Sequence, residues 1–138
     1  MIMKQHTRGQ SIVEVLVAIS VMTLCVAAVG AMVLDAQRST MGGLMRLQAT
    51  LIAEEGIEAA RVIRDGGFSG LTAGVHGVAL VEGRFEFAGA SDTEEQFVRT
   101  VGIEDVGADI KRVTSSVSWN SIRQSGDRVE VVADLRAR

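Results

Sequence analysis

At 138 residues the chain has room for one compact domain and an extension, and too little for two ordinary domains. Its formal charge of −3 argues against phosphate neutralisation as its main work, so nucleic acid is not indicated as a partner. Hydrophobic residues make up 47% and aromatic ones only 4%, and the surplus is Val, Ala, Leu, Ile and Met gathered near the start. The single cysteine, Cys25, lies in an apolar run, where it can neither close an internal disulfide nor begin a metal site. No proline is present to interrupt a long helix.

Residues 1–9 are short and polar and carry Lys4 and Arg8 with no acid, the composition of a flank retained in the cytoplasm. From Val15 to Leu34 there are 20 residues without a charge, which is the length a helix needs to cross the hydrocarbon core of a bilayer. Basic residues precede the run and Asp35 follows it, so the positive-inside rule places the N-terminus in the cytoplasm and the remainder outside.

The helical pattern continues beyond the apolar run. On a helical wheel Met41, Leu44, Met45, Leu51, Ile52, Ala59, Val62 and Ile63 share one arc, and Arg46, Thr50, Glu54, Glu58, Arg61 and Arg64 the opposite one. Leu47 and Ile57 fall on the polar side and Glu55 on the apolar side, which suits contacts with neighbouring chains. Gly42 and Gly43 lower helix propensity by roughly 1 kcal/mol each, so a bend or soft turn is expected there. Asp65-Gly66-Gly67 ends the helix; from Gln10 to Arg64 it would extend about 80 Å at ~1.5 Å per residue.

After Gly66 the period changes to two. Val75–Val81 and Arg84–Phe87 read as a hairpin around Glu82-Gly83, and Phe97–Ile103 as a less regular strand. Val113–Trp119 and Val129–Leu135 alternate cleanly and are joined by a loop over Asn120–Asp127. Four or five antiparallel strands with one apolar face would pack on the apolar stripe of the preceding helix. The expected architecture is α+β: a basic segment over 1–9, a membrane-spanning half-helix over 10–35, an amphipathic half-helix over 36–65 and a sheet over 66–138.

The most informative stretch is Arg8-Gly9-Gln10-Ser11-Ile12-Val13-Glu14, followed at once by the apolar span. It resembles the start of type IV prepilins and type II secretion pseudopilins, in which a short basic leader ends at a glycine and a glutamate is the fifth residue of the mature chain. Counted from Gln10, that glutamate is Glu14. The resemblance covers the whole chain in layout and is specific in residues over Arg8 to Leu34. It implies cleavage between Gly9 and Gln10 by a prepilin peptidase, followed by assembly with other pilin subunits on an assembly platform into a homo- or hetero-oligomeric filament. Two departures stand out. The family's first mature residue is usually phenylalanine or methionine, which is then N-methylated, whereas here it is Gln10; and the C-terminal disulfide of many members cannot form with one cysteine. Glu54 to Arg61 and the strand ending Val117-Ser118-Trp119 look more like minor pilins than major ones.

A carboxylate near the start of a membrane span is expensive, roughly 2.5–3.5 kcal/mol at the helix centre and less near the interface. No Lys or Arg lies between Gly9 and Arg38. Cutting after Gly9 creates an ammonium at Gln10, one helical turn from Glu14, so processing itself supplies a cation for Glu14 of the same or a neighbouring chain. Gly9 suits a scissile position because it lacks a Cβ.

Other features carry less. Glu54, Glu58, Arg61 and Asp65 read as a solvated helix face. The glycines at 66, 67, 70, 74 and 77 have no Gly-Lys-Ser/Thr after them and read as turns and strand breaks. Asp92, Glu94 and Glu95 lack the alternating ligands of a calcium loop and read as a solvated loop. His6 and His76 are isolated, Trp119 reads as core, and no catalytic, metal or cofactor constellation is legible, so no enzymatic activity is expected. The close alternative is a pseudopilin of a secretion or DNA-uptake machine. A single-pass protein with a small exterior binding domain is the alternative of another class.

Overall fold

The computed structural model describes residues 7–120 and 125–137. One α-helix, α1 (Thr7–Gly66), is followed by a 3-10 turn (Phe68–Gly70) and six strands: β1 (Gly74–Val81), β2 (Arg84–Ala88), β3 (Asp92–Glu94), β4 (Phe97–Gly107), β5 (Ile110–Asn120) and β6 (Ser125–Arg136). The chain forms two compact units, the first ending at Met41 and the second spanning Gly42–Arg138.

In the first unit α1 is long and apolar enough to cross a membrane, with mean hydropathy 2.6 in its most apolar window and none of that window buried. Its hydroxyls are turned back on the helix: Ser20 Oγ donates to Leu16 O at 2.7 Å and Thr23 Oγ1 to Ser20 O at 2.8 Å. That removes two polar groups from an apolar surround without breaking the ladder.

The second unit is an α+β layer pair, in which the later part of α1 packs against a six-stranded antiparallel sheet of order β2-β1-β4-β5-β6 with β3 beside β4. Ala49, Ile52 and Ala53 meet Phe97, Val117 and Trp119 at one end of the core. Ile57, Ala59 and Ala60 meet Val78, Val101, Ile103, Val113 and Leu135 at the other. The Phe97 and Trp119 rings lie 5.8 Å apart at 58°, a tilted contact favoured by ring quadrupoles. Beyond the helix, Lys111 Nζ donates to Leu71 O at 2.6 Å and holds the connecting turn, with its fully buried Leu71, on the sheet.

The hairpin over Glu82-Gly83 forms as expected. Glu82 at φ 49° and Gly83 at φ 79° are both left-handed, as a two-residue turn matched to the twist of its strands requires. β1 then forks: residues 74–76 pair with β4 and residues 77–81 with β2. The short β3 takes the vacated place beside β4, opposite residues 97–99. This is the sixth strand, where four or five were expected; three residues are too few for period two to stand out from a loop.

Two details of the helix are corrected. The α-helix runs through Gly42 and Gly43 without a turn. Its buried face is also narrower and rotated relative to the expected arc. Met41, Leu44, Leu51 and Val62 are exposed, whereas Ile57, placed on the polar side, is 4% exposed. The sheet selects small residues, Ala49, Ala53, Gly56 and Ala60, because they admit a close helix, and hydrophobicity alone points to the larger ones instead. Strands β5 and β6 also reach further than expected, to Asn120 and from Ser125, so the connection is shorter than Asn120–Asp127.

Candidate functional site

Lys4 lies outside the described residues, and of Arg8, Gly9 and Gln10 only the backbone, helical in α1, is described. Positions 10 and 14 therefore stand one turn apart on one helix face. Glu14 is exposed, like every described residue of the apolar run that follows it. Cys25 is a free, exposed cysteine within that run. The helix thus offers a single acid at the entrance of a bare apolar surface; Asp35 is the next charged residue along it.

The second unit holds a polar cluster that the sequence reading missed. Arg99 sits on β4 between Phe97 and Val101, on the parity that faces the helix, and is only 4% exposed. Its guanidinium donates to Asp92 through Nη2 at 2.8 Å and Nε at 3.1 Å, and through Nη1 to the helix carbonyl Ile52 O at 3.2 Å; Glu55 Oε1 lies 3.7 Å from Nη1. Asp92 also accepts Val78 N–H at 2.8 Å, the amide released where β1 turns from β4 to β2. Asp92 therefore belongs to a partly buried ion pair and not to a solvated loop. One carboxylate closes the fork in the sheet, and one guanidinium ties it to the helix. The signal was present in Phe97-x-Arg99-x-Val101-x-Ile103, a charge in the inward phase of an apolar strand.

Three surfaces remain for partners. Leu44, Leu47 and Leu51 form an exposed strip on α1 at i, i+3 and i+7, each 58% exposed. A groove of about 820 Å³ lies between Val62, Ile63 and Gly66 at the helix end and Phe85 and Phe87 of β2. In it the His76 ring stacks on Phe87 at 4.9 Å, and its Nε2 lies 2.9 Å from Thr72 O. Outside the helix-covered face, β6 presents Arg128, Glu130, Val132, Asp134 and Arg136 in alternation. Arg112 donates to Asp134 at 2.8 and 3.1 Å, and this hydrogen bond holds the Asp134 carboxyl below the usual carboxylate range, so it is charged at neutral pH. Among the described residues no group of three or more His, Cys, Asp or Glu is placed to hold a metal ion.

Comparison with family models, curated proteins and solved structures finds no match. The architecture therefore stands on its own geometry: one long N-terminal helix, apolar enough in its first part to enter a membrane, packed by its second part on an antiparallel sheet.

Proposed function

We propose that the chain is a structural subunit, of the minor class, of a type IV pilus or related pilus-like filament. In this reading it is anchored in the membrane by residues 10–35, cleaved after Gly9 by a prepilin peptidase and assembled through its N-terminal helix. The observation that carries the proposal is Glu14: an exposed carboxylate at the head of a 20-residue uncharged helical surface, one turn from the amine that cleavage would create at Gln10. A membrane anchor alone has no use for that acid, which opposes insertion. A subunit that must dock in axial register does, because the new ammonium of one chain and Glu14 of the next form a pair only at one height.

The exposed strip of Leu44, Leu47 and Leu51 adds support. A helix that served only to cover its own sheet would carry polar residues on its far side, whereas this one leaves three leucines uncovered there. The test is the mass of the protein recovered from its native membrane or filament. A mature chain beginning at Gln10 is expected. A mature N-terminus within or after residues 15–34 would identify a secretory signal and overturn the proposal.

A further inference from the structure

A filament is an open assembly, and open assemblies need heterologous contacts: two different surfaces on each chain that fit one another, repeated without closure. The sheet offers two such surfaces in its edges. Among the described residues β2 pairs only with β1, and β6 only with β5. Each edge leaves a row of backbone N–H and C=O groups open to another strand. β6 is 12 residues long and has no proline or mid-strand bulge to blunt its edge, and its charges, of both signs, leave it selective for a partner strand of complementary charge.

The two edges also run in the same sense. From β2 through β1, β4 and β5 to β6 every step is antiparallel, so β2 and β6 are parallel to each other. A second copy set beside the first in the same orientation therefore brings its β2 alongside β6 as a parallel pair, and a third copy can join the second in the same way. An antiparallel β6–β6 contact would instead be isologous and would stop at a dimer.

Side chains choose the register. Arg84, Glu86 and Ala88 point to the face of β2 away from the helix, and Phe85 and Phe87 to the core side. On β6 the outer row is Arg128, Glu130, Val132, Asp134 and Arg136, and the inner row includes Val131, Ala133 and Leu135. Arg84 beside Asp134 places Glu86 beside Arg136 and Phe85 beside Leu135, so both outer pairs are opposite in charge and the inner one is apolar. Sliding so that Arg84 meets Val132 sets Glu86 against Asp134, and sliding it to Arg128 sets like against like twice. Arg84 beside Glu130 keeps one ion pair only. A shift by one residue would turn every charge to the apolar face.

We infer that copies of this chain join edge to edge, with β2 of one laid parallel on β6 of the next in the register Arg84–Asp134 and Glu86–Arg136. The contact is short, and it works because anchoring the chains in one membrane through their helices already holds the edges at high effective concentration. The inference rests on the filament reading for the need of an open contact, but its test is independent of processing.

Full-length chains carrying Cys25→Ser, Glu86→Cys and Arg136→Cys together are expressed in membranes and oxidised, leaving Arg84 and Asp134 in place. Adjacent strands lie ~4.7–4.9 Å apart, from which small adjustments bring neighbouring cysteines into disulfide range. The expected result is a ladder of disulfide-linked dimers, trimers and higher species. It should be stronger than with Glu130→Cys in place of Arg136→Cys, a link that sets Arg84 against Arg128, and weakened about 2- to 5-fold by Arg84→Glu, the effect of a cross-strand charge reversal. Chains with either cysteine alone should stay monomeric. No ladder, a product that stops at dimer, or a stronger ladder through position 130 overturns the inference. The filament reading is judged separately by the mature N-terminus, so filaments of chains starting at Gln10 that give no ladder would remove the edge contact and leave that reading standing.

Discussion

Glu14 and Asp92 are both carboxylates next to apolar stretches of the chain, and the structure shows a cation beside Asp92. Asp92 has Arg99 inside the same chain, 2.8 Å away and almost fully buried. Asp92→Ala should lower unfolding stability by about 3 kcal/mol, because it strands a buried guanidinium and the Val78 amide together. Replacing both partners, as Asp92→Ala with Arg99→Met, should recover a good part of that loss in urea unfolding; no recovery would mean that Asp92 acts only through the backbone. Glu14 has no Lys or Arg nearer in sequence than Arg8 and Arg38. Under the proposed function its partner is the Gln10 ammonium of a neighbour. Glu14→Val should therefore leave membrane insertion intact or improve it, while sharply reducing entry into filaments. The membrane and sheared-filament fractions of wild type, Glu14→Val and Glu14→Asp measure this. Wild-type levels of the valine variant in filaments would refute the docking role.

At the scale of elements, the helix is shaped by what it lies on. A Cβ at Gly56 would collide with Ser115 Oγ on β5 and come within 3.2 Å of Arg99 Cδ, so the glycine is demanded by the approach of helix to sheet. In a free helix Gly→Ala would gain about 1 kcal/mol; here Gly56→Ala should instead destabilise by about 1–3 kcal/mol through overpacking. Ser115 Oγ is buried and has no hydrogen-bond partner among the described residues, so Ser115→Ala should be neutral or slightly stabilising and should relieve much of the Gly56→Ala penalty. Additive losses in a double-mutant cycle of thermal unfolding would show that the two residues do not oppose each other. The same contact explains what could be read in advance. Period two gave β5 and β6 with their inward rows, and Glu82-Gly83 gave the hairpin, because those signals are local. The buried helix face was misjudged because a wheel weighs leucine above alanine, while a close helix–sheet contact weighs size the other way. β3 and the Asp92–Arg99 pair escaped because three residues carry no period and the pair spans a fork visible only in the assembled sheet. Of the candidate docking site, Gly9, Gln10 and Glu14 were legible as a local pattern, and the leucine strip emerged only once the sheet had claimed the other face.

For the whole molecule, the division into two units predicts how it can be cut. A fragment starting at Gln37 keeps all of the helix that covers the sheet and should be soluble and folded. One starting at Asp65 loses Ala49, Ile52, Ala53, Ile57, Ala59 and Ala60 from the core and should aggregate. A well-folded monomer lacking residues 37–65, seen by circular dichroism and sedimentation, would refute helix-on-sheet packing as the source of stability. The boundary between the units falls next to Gly42 and Gly43, whose missing side chains would meet nothing within 4 Å. Nothing packs there to hold the helix closed, and the two glycines weaken it by roughly 1 kcal/mol each. Pulled from its ends, the chain should yield first at this point, each residue that unwinds lengthening it from ~1.5 Å to as much as ~3.3–3.6 Å. The glycine pair is thus a mechanical fuse: it gives way and lets out slack at a lower load than the one that would open the sheet's core.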